Sequence, residues 1–179
     1  MTLAEPVKHR TCHHKTWLCL LLLCISIPTY ADEPLTNPFT ILLEHAKQGN
    51  VDAMFEVAKY YQDGEYTEQN WQEAIYWYEK AVDNNNTRAM LNLGRILLQG
   101  AGQEKADVPR AMQLIRQAAN SGDASAQFQL GQLFENGEYV EQDLPSAVRW
   151  YREAEQQKYP GARTAMRRCI QAFKTRPHN

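Results

Sequence analysis

The stretch Ala126-Gln-Phe-Gln-Leu130-Gly131-Gln-Leu-Phe134-Glu-Asn-Gly137, followed by Asp143-Leu-Pro-Ser-Ala147-Val-Arg-Trp-Tyr151-Arg-Glu-Ala154, decides the fold. Ala126, Leu130 and Phe134 stand at i, i+4 and i+8, which places them on one face of a helix. Gly131 is small, within that helix, because a neighbouring helix crosses closely there. The roughly 0.5–1 kcal/mol that Gly costs against Ala is offset by the contact. Gly137 reads as the C-terminal cap. Asp143 reads as the N-cap of a second helix, and Pro145 falls in its first turn, where the ring is tolerated. One unit is therefore two short antiparallel helices.

The same unit is written twice more upstream. Its first half recurs as Ala53-Met-Phe-Glu-Val57-Ala58-Lys-Tyr-Tyr61-Gln-Asp-Gly64 and as Ala89-Met-Leu-Asn-Leu93-Gly94-Arg-Ile-Leu97-Leu-Gln-Gly100. Its second half recurs as Ala74-Ile-Tyr-Trp-Tyr78-Glu-Lys-Ala81 and Ala111-Met-Gln-Leu-Ile115-Arg-Gln-Ala118, at a period of 36 to 37 residues. Asn70 and Asp107 take the N-cap place, Pro109 matches Pro145, and Asn70-Trp71-Gln72-Glu73 approximates a capping box. The middle copy carries one extra residue between Gly100 and Asp107. Each helix pair exposes an apolar face that only the next pair covers, so the units stack as an all-α solenoid.

The motif Gly-x-x-x-Ala-x-x-x-Leu-Gly-x-x-Tyr/Phe, a Gly loop, then Asp-x-x-x-Ala-x-x-Trp-Tyr-x-x-Ala resembles the Sel1-like repeat, a relative of the tetratricopeptide repeat. The match spans about residues 46–160. Trp77-Tyr78-Glu79-Lys80-Ala81 and Trp150-Tyr151-Arg152-Glu153-Ala154 are its most characteristic stretches. The resemblance implies a right-handed superhelix of helix pairs. Two features depart from the pattern: Tyr66 and Tyr139 replace the second loop glycine, and Leu114-Ile115 replaces Trp-Tyr in the middle unit.

The ends read as caps. Asn37-Pro38 opens a helix with an N-cap and a Pro at its first position, running through Leu42, Leu43 and Ala46 to Gly49. At the other end, Ala162, Ala165, Met166, Cys169, Ile170 and Phe173 share one helical face, with Arg163, Arg167, Arg168 and Lys174 off it. Arg167 takes the place of Gly94 and Gly131, where a long side chain opposes another close crossing, so the stack is expected to stop there.

Ahead of the repeats lies a basic start (Lys8, Arg10, Lys15), an apolar run from Trp17 to Ile27, Pro28, and Thr29-Tyr30-Ala31 with small residues at −3 and −1. This is the pattern of a secretory signal peptide cleaved after Ala31. An uncleaved anchor fits less well, because a bilayer takes about 20 apolar residues and Pro28 ends the run short of that. A lipoprotein site at Cys24 is opposed by the bulky Leu23 before it. The expected organisation is a signal peptide over 1–31, an N-terminal segment and capping helix over 32–49, repeats over 50–86, 87–122 and 123–159, and a basic C-terminal helix and tail over 160–179. A periplasmic or secreted location follows, with no integral span left after cleavage.

Composition narrows the function. The 179 residues carry a formal net charge of −2, which argues against a binder of nucleic-acid phosphates. Cleavage leaves Cys169, His45 and His178 as the only Cys and His residues, too few for a clustered transition-metal site. Residues 32–159 hold 11 basic against 20 acidic residues; residues 160–179 hold five basic and none acidic. Ser121, Ser125 and Ser146 fit turns and caps, and none is followed by Lys at the third position as in penicillin-recognising enzymes. A cysteine-rich branch of Sel1-like proteins is associated with β-lactam hydrolysis, but this chain lacks the cysteines. Glu65, Glu68, Glu138 and Glu141 recur in two near-identical loops, as structural repeats do. No catalytic residue, cofactor or metal is expected, and Cys169 reads as a core residue.

Binding remains. The inner wall of a helical-pair solenoid is lined by the first helix of each unit. Phe55, Leu91 and Phe128 stand one above another, Lys59, Arg95 and Gln132 lie one turn on, and Gln62, Leu98 and Glu135 are nearby. An apolar row flanked by polar groups suits an extended peptide or a partner helix; the competing reading places Phe55, Leu91 and Phe128 in the inter-unit core. The expected function is a non-enzymatic protein–protein adaptor, monomeric, in the bacterial envelope. The resemblance implies envelope regulation, motility, polysaccharide export or host contact. A cell-wall or β-lactam hydrolase is the alternative, and the Asn85-Asn86-Thr87 sequon leaves an endoplasmic-reticulum protein as a third.

Overall fold

The computed structural model describes residues 37–102 and 105–175. The expected signal peptide, residues 32–36, and the tail with His178 lie outside the described residues. Among the described residues eight helices follow one another: α1 (Pro38–Lys47), α2 (Val51–Asp63), α3 (Trp71–Asp83), α4 (Thr87–Gln99), α5 (Val108–Asn120), α6 (Ala124–Asn136), α7 (Leu144–Gln156) and α8 (Ala162–Lys174). Each packs on its sequence neighbours. Three pairs, α2–α3, α4–α5 and α6–α7, are the repeats.

The caps are chemically uniform. Gly64, Gly100 and Gly137 end the first helices in the left-handed conformation, at φ 72°, 68° and 69°. The side chains of Asn70, Asp107 and Asp143 accept backbone N–H bonds at the start of the second helices. The capping box is only half formed. Asn70 caps Gln72 and Glu73, but its own N–H bonds the Tyr61 carbonyl at 2.8 Å rather than the Glu73 side chain. Asp107 and Asp143 do the same to Leu97 and Phe134. That bond clamps each loop to the helix before it and satisfies a carbonyl that the helix end leaves open. Ser125, expected just before a helix, lies within the first turn of α6.

The chain turns in three residues before α2, α4 and α6, and in five before α8. The N–H groups of Asn50, Asn86, Asp123 and Tyr159 bond the carbonyls of His45, Ala81, Ala118 and Ala154, a Schellman closure. It requires a left-handed residue, supplied by Gly49, Asn85, Gly122 and Lys158. Tyr66, standing where the resemblance calls for glycine, keeps a glycine-like φ of 61°.

The crossing glycines behave as their spacing implies. A Cβ on Gly94 would stand 2.6 Å from Ile115 Cγ1, and one on Gly131 would stand 2.7 Å from Tyr151 Cε1. The rows Val57, Leu93, Leu130 and Ala81, Ala118, Ala154 are fully buried.

The repeat register also identifies the ends. His45 accepts the same turn bond as Ala81, so α1 is a second-type helix. It buries Phe39 and Ala46 and leaves Ile41 exposed. Ala162 and Cys169 are buried where Ala126 and Leu133 are, so α8 is a first-type helix. Among the described residues the array therefore has a half unit at each end.

Candidate functional site

Two buried tyrosines tie the second helix of their unit to its first. Tyr78 is buried, donates to Gln62 Oε1 at 3.0 Å and accepts from Asn92 at 3.1 Å. Tyr151, one step before the end, donates to Glu135 Oε2 at 2.6 Å. Burial pushes both phenols above the usual tyrosine range. The middle unit changes both partners together. Ile115 replaces the tyrosine and Leu98 replaces its acceptor, and both are buried. A buried phenol left without an acceptor costs about 1–3 kcal/mol, so the exchange to two apolar groups keeps the position satisfied.

Glu135 has a second partner. Arg168 in α8 grips it with Nε at 2.6 Å from Oε1 and Nη2 at 2.7 Å from Oε2. The Arg168 hydrogen bond holds the Glu135 carboxyl below the usual range, with Tyr151 adding to it. This fork pins the last helix to the third repeat. Cys169, beside it, is fully buried; burial first and the Glu135 charge second push its thiol up to about 11.

The expected groove residues divide. Phe55 and Leu91 are only 6% exposed and belong to the core. Arg88 covers the Phe55 ring, its guanidinium carbon 4.4 Å from the centroid, while pairing with Asp52. The first-type helices are covered on several sides, because each meets its own partner and the preceding unit; this buries the row that a single-face reading left on the wall. Leu98 is buried too, while Gln62 and Glu135 serve the tyrosines. Phe128 is half-buried, with Tyr159 against it at 5.0 Å between centroids.

What the wall does bring together is Arg95, Phe128 and Gln132, with Ser125, Gln129 and Tyr159, around an open depression of about 290 Å³. Arg95 also borders a narrower recess with Gln62, Asn92 and Gln99. Among the described residues, no hydrogen bond or ion pair engages the side chains of Arg95, Gln129, Gln132 or Lys59. Sequence alone does not single out Gln129 and Tyr159, and it reads Ser125 only as a capping residue. The only signal for them was the 36–37-residue offset, which places Ser125 where Arg88 covers Phe55.

The serines are held in local structure. Ser121 donates to the Gln117 carbonyl, Ser146 to Asp143, and Ser125 lies 3.3 Å from the Tyr159 hydroxyl. The Ser146 bond lowers the Asp143 carboxyl. Glu65, Glu68, Glu138 and Glu141 project from their loops into solvent, and His45 is exposed. Among the described residues, no three His, Cys, Asp or Glu side chains gather to hold a metal ion. Among the same residues, no helix is long and apolar enough to cross a membrane.

Known proteins share this architecture. The Sel1 repeat profile matches three times, over residues 51–86, 87–123 and 124–159. An ERAD-associated E3 ubiquitin-protein ligase component, HRD3B of Arabidopsis thaliana, is 31% identical over 111 residues, covering 62% of this chain and 17% of that protein. The chitin synthase regulator SKT5 of Saccharomyces cerevisiae is 28% identical over 156 residues, covering 86% of this chain and 21% of its own length. The chain thus spans about a fifth of these curated relatives. The crystal structure of a Sel1 repeat protein from Oxalobacter formigenes superposes with a TM-score of 0.62 at 32% identity, covering 72% of this chain and 96% of that one. On the three matched repeats and the helix-pair stack that they form, this chain belongs to the Sel1 repeat family.

Proposed function

We propose that the chain is a non-catalytic adaptor of the bacterial cell envelope, periplasmic or secreted, that holds a protein or peptide partner on the inner wall of its repeats. One observation carries this reading. The depression around Arg95 joins a free cation, two free side-chain amides and the edge of an aromatic pair on one rigid surface. Amides that donate and accept can follow a peptide main chain, and aromatic edges anchor its side chains. The export pattern at the N-terminus supports the location. The family membership supports the adaptor role, and the two curated relatives are named as a ligase component and a regulator.

A photo-crosslinking residue at Gln132, on the wall, and another at Gln113, on the exposed face of α5, test the reading in the native envelope. The expected result is a discrete adduct from Gln132 that disappears on Arg95→Glu and has no counterpart from Gln113. Identical products from both positions, or none from either, overturn it.

A further inference from the structure

Glu135, Tyr151 and Arg168 stand at one common offset, two repeats, from Gln62, Tyr78 and Arg95. The two sets are one constellation with a carboxylate exchanged for an amide. Downstream, Glu135 accepts from Tyr151 at 2.6 Å and is gripped at both oxygens by Arg168. Upstream, Gln62 accepts from Tyr78 at 3.0 Å, so that tyrosine is satisfied in the same way. An amide oxygen accepts from a phenol but brings no charge for a guanidinium. Arg95 accordingly makes no ion pair among the described residues, where Arg168 makes its fork. The middle copy has no cation to satisfy: Leu98 and Ile115 are apolar, and Gln132 follows them. Among these three copies, only the first leaves an arginine without a counter-charge.

The surroundings of Arg95 favour a carboxylate from outside. Arg95 is exposed and borders two recesses, one shared with Gln62 of the first repeat, the other with Gln129 and Gln132 of the third. These amides can donate to a carboxylate beside the guanidinium and to the main chain on either side of it. Asp63 and Glu56, whose charges reach the same Tyr78 phenol, form no ion pair with Arg95. Residues 32–159 hold 11 basic against 20 acidic residues, so an acidic segment is repelled by most of this surface and drawn to the free cation. Recesses on both sides of Arg95 suit a segment that passes through, not a chain that ends there.

We propose that the partner segment on this wall presents an internal Asp or Glu side chain to Arg95, supplying from outside the carboxylate that Glu135 supplies to Arg168 from within. This rests on the peptide-holding reading of the wall and names the chemistry that the partner brings. Two parallel N–H bonds fix a carboxylate in orientation as well as in charge. The acidic residue therefore sets the register of the bound segment, and a neighbouring side chain reaches the edge of the Phe128–Tyr159 pair. Gln62 makes the site selective. As an amide it leaves Arg95 to the partner; as a glutamate it would compete for it.

An array of random octapeptides tests this, acetylated and amidated at their ends so that only side chains carry carboxylates. A second array with free C-termini separates side-chain from chain-end carboxylates. Binding peptides of the first array are expected to share one Asp or Glu and to lose affinity in about 1 M salt, where charges are screened. Arg95→Glu is expected to move the preference at that position to Lys or Arg. Gln62→Glu is expected to weaken acidic peptides about tenfold or more while raising the thermal midpoint, a pairing that a folding defect does not produce. Circular dichroism checks that Arg95→Glu keeps wild-type helicity. Bound peptides without a shared acidic position, or an acidic preference unchanged by either substitution, overturn the carboxylate assignment and leave the wall as a peptide site. Binding by the free C-termini alone moves the carboxylate to a chain end and overturns it too. Arrays without any binding peptide overturn the peptide-holding reading along with it.

Discussion

The phenol of Tyr151 and the carboxylate of Glu135 meet at 2.6 Å across 16 residues, and the same carboxylate receives Arg168 from the next helix. A repeat-internal bond and an end-cap bond therefore share one acceptor. α8 is attached through a group that the third repeat also needs for its own tyrosine.

That sharing gives a pH dependence with a definite sign. The folded Glu135 carboxyl titrates below its ordinary value of about 4.3 because Arg168, then Tyr151, bond its charged form. A depressed value means the stabilisation is complete above the unfolded value and is lost as pH falls through the folded one. The thermal midpoint of the wild type should exceed that of Glu135→Gln at pH 7. The gap should close below about pH 4.3. A constant gap down to pH 2 would mean that Glu135 acts by packing alone.

Gly131→Ala should destabilise the protein, although Ala is the better helix former. The added methyl would lie 2.7 Å from a buried aromatic ring that cannot move aside. Overpacking costs about 1–3 kcal/mol, against a propensity gain of about 1 kcal/mol. Chemical denaturation measures the difference. A net gain in stability would show that α6 and α7 can separate.

Phe55→Ser and Phe128→Ser should behave differently, despite their equivalent places in the repeat. Phe55 is buried under Arg88, and removing such a ring costs about 3–5 kcal/mol. Phe128 is half-buried at the rim of the depression, so its loss should lower stability less and weaken the Gln132 crosslink more. Denaturation curves and crosslink yield, measured on the same two variants, separate the roles.

Cys169 should be nearly inert to thiol reagents in the native protein. It is fully enclosed and its thiol sits at about 11, against about 8.5 for a free cysteine. At pH 8 the thiolate fraction falls by about two orders of magnitude. Modification should be slow in buffer and fast in denaturant. Rapid native labelling would place Cys169 at the surface.

Much of the fold was legible because repeats report the same local physics several times. Gly137 and Asp143 announce a helix end and a helix start by backbone chemistry alone, and Gly64, Gly100, Asn70 and Asp107 repeat the message. The candidate site was less legible. A period of 3.6 marks one buried face, whereas α4 buries Ala89, Met90, Leu91, Leu93, Gly94, Ile96, Leu97 and Leu98, eight of its 13 residues. Spacing therefore leaves Leu91 open between wall and core, and its burial places it in the core. Arg95 and Gln132 were legible as polar residues one turn along, but their lack of partners was not.

By itself, the sequence determined the helix pairs, their caps, the close crossings at Gly94 and Gly131, and the order of the units. These follow from contacts within some forty residues, where spacing translates directly into geometry. Only the tertiary structure decided which residues of the first helices face solvent, that Glu135 serves Tyr151 and Arg168 together, and that α1 and α8 are opposite halves of one unit. Those facts depend on neighbours a full repeat away, and on how many sides of a helix they cover, which no periodicity along one helix encodes.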